Sequence, residues 1–191
     1  YEGRLSVGTD GQAYLVWMTE DYLFGDGLYQ NWVDCYPAIR KDLYFVMDDS
    51  WDIPKDVNDS PNLYLGCVEL SSDRFPSFRG DAVERLKQLS EQIKSKGWKG
   101  VGGWICAQKA ETHAAIPEEE YWKQRIKAAN AAGFDYWKVD WGKEDRNGEW
   151  RKKLTAIGKR YAPHLYIEHA LRNEFIEFSD VFRTYDVENI T

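Results

Sequence analysis

One phrase recurs along this chain and constrains its fold more than any other feature: a helical stretch, a glycine, an aromatic residue and then a strand. Val83, Leu86, Leu89 and Ile93 recur at helical spacing between about Asp81 and Lys96, Gly97 supplies a C-terminal stop, and the strand WKGVGGWICA follows. The phrase repeats after Pro117: Glu118 to Glu120 suit a first helical turn, Trp122, Ile126 and Ala129 form an inner face, and Gly133 leads into FDYWKVDW. A third copy runs from Glu149 to Tyr161 into HLYIEHA. Alternation of this kind predicts an α/β chain with a parallel sheet.

Further strands are predicted in AYLVW (13–17), LYFVMDD (43–49), the less regular LYLGCVEL (63–70) and DVFRTYDV (180–187). About six strands, with 36 residues from Gly97 to Gly133, fit the repeat of a (β/α)8 TIM barrel better than a short open sheet. Such barrels take about 250 residues. The expectation is therefore one catalytic barrel domain over residues 1–191, incomplete, with its last one or two β/α units lying outside the chain. The start at Tyr1, without an initiator Met, fits an excised piece.

Composition narrows the function classes. A net charge of −7 opposes a phosphate-backbone partner, so no nucleic acid is expected. No run reaches the roughly 18 apolar residues of a membrane helix, and YEGRLSVGTDGQ lacks the basic start and apolar stretch of a signal peptide. Cys35, Cys67 and Cys106 form no C-x-x-C pair and read as buried thiols. Nine tryptophans exceed ordinary packing needs and suggest aromatic faces for a ligand.

In barrels the chemistry sits at the C-terminal ends of strands. Here those ends carry Asp48 and Asp49, then Lys138 and Asp140, then Glu168, then Arg183 and Asp186. Strand residues two apart share a side, so Lys138 and Asp140 project together with Val139 opposite. The pair reads either as part of a site or as a structural ion pair. Several carboxylates among aromatic rings make up a glycosidase site, and carbohydrate is the substrate such a surface suits. His113, His164 and His169 lack metal-ligand spacing, and GVGGW lacks the lysine and helix start of a phosphate loop, so neither metal nor other cofactor is expected.

From Leu43 to Asn189 the chain resembles the clan of retaining glycoside hydrolases that includes the α-galactosidases and α-N-acetylgalactosaminidases (families 27 and 36). The resemblance is carried by MDDSW, by RFPS followed by a helix and KGWKGVGGW, and above all by the KVD triplet in FDYWKVDW. It implies Asp140 as nucleophile, Lys138 as a sugar contact, Asp48 and Asp49 as hydroxyl ligands with Trp51 nearby, Trp104 as the third-strand aromatic and Glu168 as a sugar-binding acid. FRTYDVEN resembles the segment where an Arg precedes the proton donor, implying Arg183 and Asp186. These two stand three apart, one residue closer than in the family, so Asp180 and Glu188 are carried as alternative acid/bases. Trp141 and Gly142 stand where many relatives carry a disulfide cysteine. The resemblance also favours an extracellular, periplasmic or lysosomal setting.

The expected reaction is retaining cleavage of a terminal α-galactoside-type bond. Two alternatives stand beside it: a catalytically silent carbohydrate-binding barrel, and a related glycosidase with another sugar or an inverting outcome. Structural roles stand beside the functional ones as well. Asp48 and Asp49 suit caps, Glu168 suits a pair with Arg172, Trp51 and Trp104 suit a core, and His169 suits a surface or supporting place.

Overall fold

The computed structural model describes residues 5–7, 13–15, 18–27, 31–57, 62–170 and 173–181. An antiparallel ribbon pairs β1 (Leu5–Val7) with β2 (Ala13–Leu15). After the short helix α1 (Glu20–Phe24), strand β3 (Tyr44–Met47) opens a run of β/α units. These are α2 (Ala82–Ser95) into β4 (Gly100–Ile105), α3 (Glu118–Ala131) into β5 (Tyr136–Val139), and α4 (Gly148–Tyr161) into β6 (Tyr166–His169). The four strands β3 to β6 are all parallel and lie in chain order.

Local chemistry explains the helices. Asp81 and Glu84 form a reciprocal capping box at the start of α2. Asn147 accepts from the Trp150 N–H at the start of α4, and Pro117 opens α3 with three glutamates in its first turn. Gly97 and Gly133 follow α2 and α3 at φ 96° and 72°, the left-handed stop that a side chain resists. The helices pack in order, α2 on α3 and α3 on α4, over one side of the sheet. That side is the core: Met47, Val101, Ile105, Trp137, Val139 and Ile167 meet Leu86, Leu89, Ile126 and Leu154.

The α/β class is as expected, but the (β/α)8 barrel is not. Among the described residues the parallel sheet holds four strands, and β3 and β6 do not pair, so the sheet is open. AYLVW contributes β2 to the separate ribbon rather than a strand to the sheet. LYLGCVEL forms turns because Gly66 and Val68 take φ 83° and 54°, which breaks an extended run. Of DVFRTYDV only Asp180 and Val181 are described, and Val181 makes one parallel bridge to Glu168. No helix among the described residues is long and apolar enough to cross a membrane.

Three glycines of GVGGW make room for close neighbours, rings at two of them and the main chain of β5 at the third. A Cβ on Gly100 would lie 2.7 Å from the Tyr44 ring, one on Gly102 2.3 Å from the Tyr136 carbonyl oxygen, and one on Gly103 3.0 Å from the Trp51 indole. The glycine run therefore sets how aromatic residues lie on both faces of β4.

Candidate active site

Register assembles the site. Trp104 of β4, Lys138 of β5 and Glu168 of β6 are paired in one row, and Asp48 follows Met47, the last residue of β3. Row partners in a parallel sheet share a face, and this row lies on the face opposite the helices. Lys138 is the centre: its Nζ lies 3.2 Å from Asp48 Oδ1 and 3.5 Å from Asp140 Oδ2. The Trp104 indole N–H donates to the same Asp140 oxygen at 3.2 Å. Trp141 packs against Trp104 with ring centroids 5.3 Å apart, covering that indole. Asp140 is buried at 8% exposure, while Lys138 and Asp48 are half-buried.

Glu168 is buried in the same row and accepts a hydrogen bond from the Tyr136 hydroxyl. The Tyr136 ring in turn lies against Tyr44, with centroids 5.6 Å apart. Asp48 Oδ1 also accepts from the Asp49 N–H at 3.0 Å, so Asp48 fixes its own turn while facing Lys138.

The resemblance implies Trp51 near the sugar, with a place in the core as the alternative, and the structure puts it in the core. Trp51 is fully buried on the helix side, its N–H donating to the Trp104 carbonyl at 2.8 Å and its ring 6.1 Å from that of Phe134. It anchors the turn after β3 to the end of β4. His169 is also wholly buried, not at the surface. Burial and the nearby Arg151 push its imidazole down to about 3, so it is neutral. Arg183, Asp186, Glu188 and Arg172 lie outside the described residues. Asp180 is described, and its Oδ2 accepts from the Ile167 N–H at 3.1 Å on an exposed bend.

Three participants escaped the sequence reading. Tyr136 holds Glu168, and Arg151 reaches the main chain of Val139 and Asp140 from the helix side. Asp52 is buried, accepts from the Val68 N–H at 2.9 Å and ties the turn after β3 to the strained turn at Val68. Desolvation pushes its carboxyl up to about 7. Arg151 carried one signal, since Arg151 and Thr155 interrupt the buried face of α4 at an i, i+4 spacing. Among the described residues no group of three or more His, Cys, Asp or Glu is arranged to hold a metal ion.

No protein-family model matches the chain, and no curated protein matches it in sequence.

Proposed function

We propose that this chain is a glycoside hydrolase that cleaves a terminal α-galactoside-type bond by retaining double displacement, with Asp140 as nucleophile. The observation that carries the proposal is one ammonium, Lys138, shared by two acids, Asp48 and Asp140, on a sheet face rich in rings. A structural ion pair needs one acid, and burying a second one costs free energy without return unless something else uses it. Sugars match such a surface, with C–H faces for rings and hydroxyls for carboxylates and ammonium.

In this reaction the Asp140 carboxylate attacks the anomeric carbon, and a glycosyl ester forms as the bond to the leaving oxygen breaks. A carboxylic acid, expected at Asp186, protonates that oxygen and then takes a proton from the water that cleaves the ester. The Lys138 ammonium lies against one Asp140 oxygen, and the Trp104 N–H donates to the same oxygen and holds it in place. Asp48 and Glu168 receive sugar hydroxyls.

The test is incubation with aryl α-galactoside, α-N-acetylgalactosaminide, α-glucoside and β-L-arabinopyranoside, following the product anomer by NMR. Retained configuration is expected, with Asp140→Asn slower by on the order of 10³-fold or more while still folded. A mechanism-based epoxide should label Asp140, read by peptide mass spectrometry. An inverted anomer, or sugar binding without turnover, would overturn the retaining assignment in favour of an inverting or a silent site.

A further inference from the structure

The nucleophile proposed above ends a strand whose last residues are gripped from behind by a cation. Arg151 of α4 is fully buried on the helix side of the sheet. Its Nε donates to the Asp145 carbonyl at 3.0 Å, one Nη to the Val139 carbonyl at 2.9 Å, and the other Nη to the carbonyl of Asp140 itself. Its guanidinium also lies over the Phe175 ring, 4.9 Å from the centroid. Burying a charge is costly, and main-chain oxygens return less than a carboxylate would. A helix that needed only to pack would carry an apolar residue there, as it does at Leu154.

The grip extends to the next strand. Val139 and His169 are register partners in the last rung of the β5–β6 ladder, one rung beyond Lys138 and Glu168. Arg151 Nη1 lies 3.4 Å from His169 Nδ1, and His169 Nε2 lies 2.7 Å from Thr155 Oγ1. The Thr155 hydroxyl donates to the Arg151 carbonyl at 3.3 Å. One proton arrangement satisfies all three contacts: Nδ1 accepts from the guanidinium, Nε2–H donates to the hydroxyl oxygen, and the hydroxyl proton goes to the carbonyl. A neutral His169 suits this circuit, because a proton on Nδ1 would face the guanidinium. The circuit closes between α4 and the ends of the two strands that bear Asp140 and Glu168.

We propose that Arg151 is the positioning residue of this site, holding the main chain beneath Asp140 and, through His169, beneath Glu168, and placing a fixed positive charge behind the nucleophile. Among the groups around Asp140 are Lys138 and the Trp104 N–H in front, Arg151 behind, the buried Cys106 thiol, and Asp48 beyond Lys138. Burial brings the guanidinium down to about 10, and the charges of Asp140 and Asp145 oppose that fall, so Arg151 and Asp140 sense one another across the strand. This inference rests on the glycosidase proposal only for its catalytic consequence.

The experiment compares the protein with Arg151→Met, which removes charge and fork, and Arg151→Lys, which keeps charge and loses the fork. The Asp140 carboxyl is titrated by ¹³C NMR, its resonance identified by its loss in Asp140→Asn. Arg151→Met should raise the Asp140 midpoint by about one pH unit with a cooperative melt retained. Arg151→Lys should leave that midpoint near the parent's and lower kcat about tenfold or more at unchanged KM, because the positive charge behind Asp140 is kept but the fork that holds its main chain is lost. An unmoved midpoint in folded Arg151→Met overturns the proposal. If that variant does not fold, parent-like kcat in Arg151→Lys overturns it. The titration needs no turnover, so an inactive parent would sink the glycosidase proposal and leave the Arg151 readout standing.

Discussion

Two buried residues beside the site give the protein opposed responses to pH. The Asp52 carboxyl is raised from 3.8 to about 7, so the folded chain keeps a proton that the unfolded chain releases. Its contribution to stability is full below about pH 4 and is lost as pH rises to about 7. The His169 imidazole is lowered from 6.5 to about 3, so the unfolded chain takes up a proton that the folded one refuses. Its contribution is full above about pH 6.5 and is lost as pH falls toward 3. Between about pH 4 and 6.5 the two effects oppose, so removing the Asp52 carboxyl should unmask the effect of His169. Asp52→Asn keeps an acceptor for the Val68 N–H, and its stability relative to the parent should grow from pH 4 to 7.5, by on the order of a few kcal/mol at most. Urea midpoints across that range check this, and a constant difference would show that Asp52 is ionised in the folded chain throughout. Lys138, Asp140, Asp48 and Glu168 were legible in the sequence because strand ends and two-residue alternation are local signals. Trp51 was not, because an indole suits a core and a ligand face equally, and only the Phe134 ring and the Trp104 carbonyl across the fold show which one it meets.

Helices and strands each rest on chemistry that single substitutions reach. Asp81 accepts from the Glu84 N–H at 2.9 Å while the Glu84 carboxylate accepts from the Asp81 N–H at 2.9 Å. Asp81→Ala should cost about 1 kcal/mol, seen as a lower denaturant midpoint at unchanged slope. In β4 the crowding is harsher. Gly102→Ala places a Cβ 2.3 Å from the Tyr136 carbonyl oxygen, main chain that cannot step aside without moving β5. A loss of about 1–3 kcal/mol is expected by the same measurement, and a neutral result would mean that β4 and β5 can separate at that rung. The elements α2, α3 and α4 stand within a residue or two of the sequence expectation, because their caps and glycine stops are written in adjacent residues. LYLGCVEL went astray because a short apolar run has no period to arbitrate it, and the turn at Val68 is held by Asp52, sixteen residues away.

At the scale of the molecule the open sheet has an inside and an outside that should differ in their dynamics. Strands β4 and β5 are paired on both sides, whereas β3 pairs only with β4 among the described residues. Native-state hydrogen exchange should find the amides of β4 and β5 slowest, those of β3 faster and those of the separate β1–β2 ribbon fastest. Protection of β3 equal to that of β5 would show that its outer edge is covered. The count of strands suggested a barrel, and the pairing does not support it, because closure depends on which strands bond to which and not on how many are predicted. A strand such as AYLVW looks the same in sequence whether it joins a parallel sheet or an antiparallel ribbon.

The sequence by itself determined the α/β class, the helices with their caps and stops, and the strand ends where the acids and the lysine stand. All of these depend on side-chain period and on neighbours a few residues apart. Only the tertiary structure decided the open order of the sheet, the burial of Trp51 and His169, the grip of Arg151 on Val139 and Asp140, and the meeting of Lys138 with Asp48 across 90 residues of chain. Those features are contacts between distant segments, and their energies arise from desolvation and pairing that exist only once the segments have met.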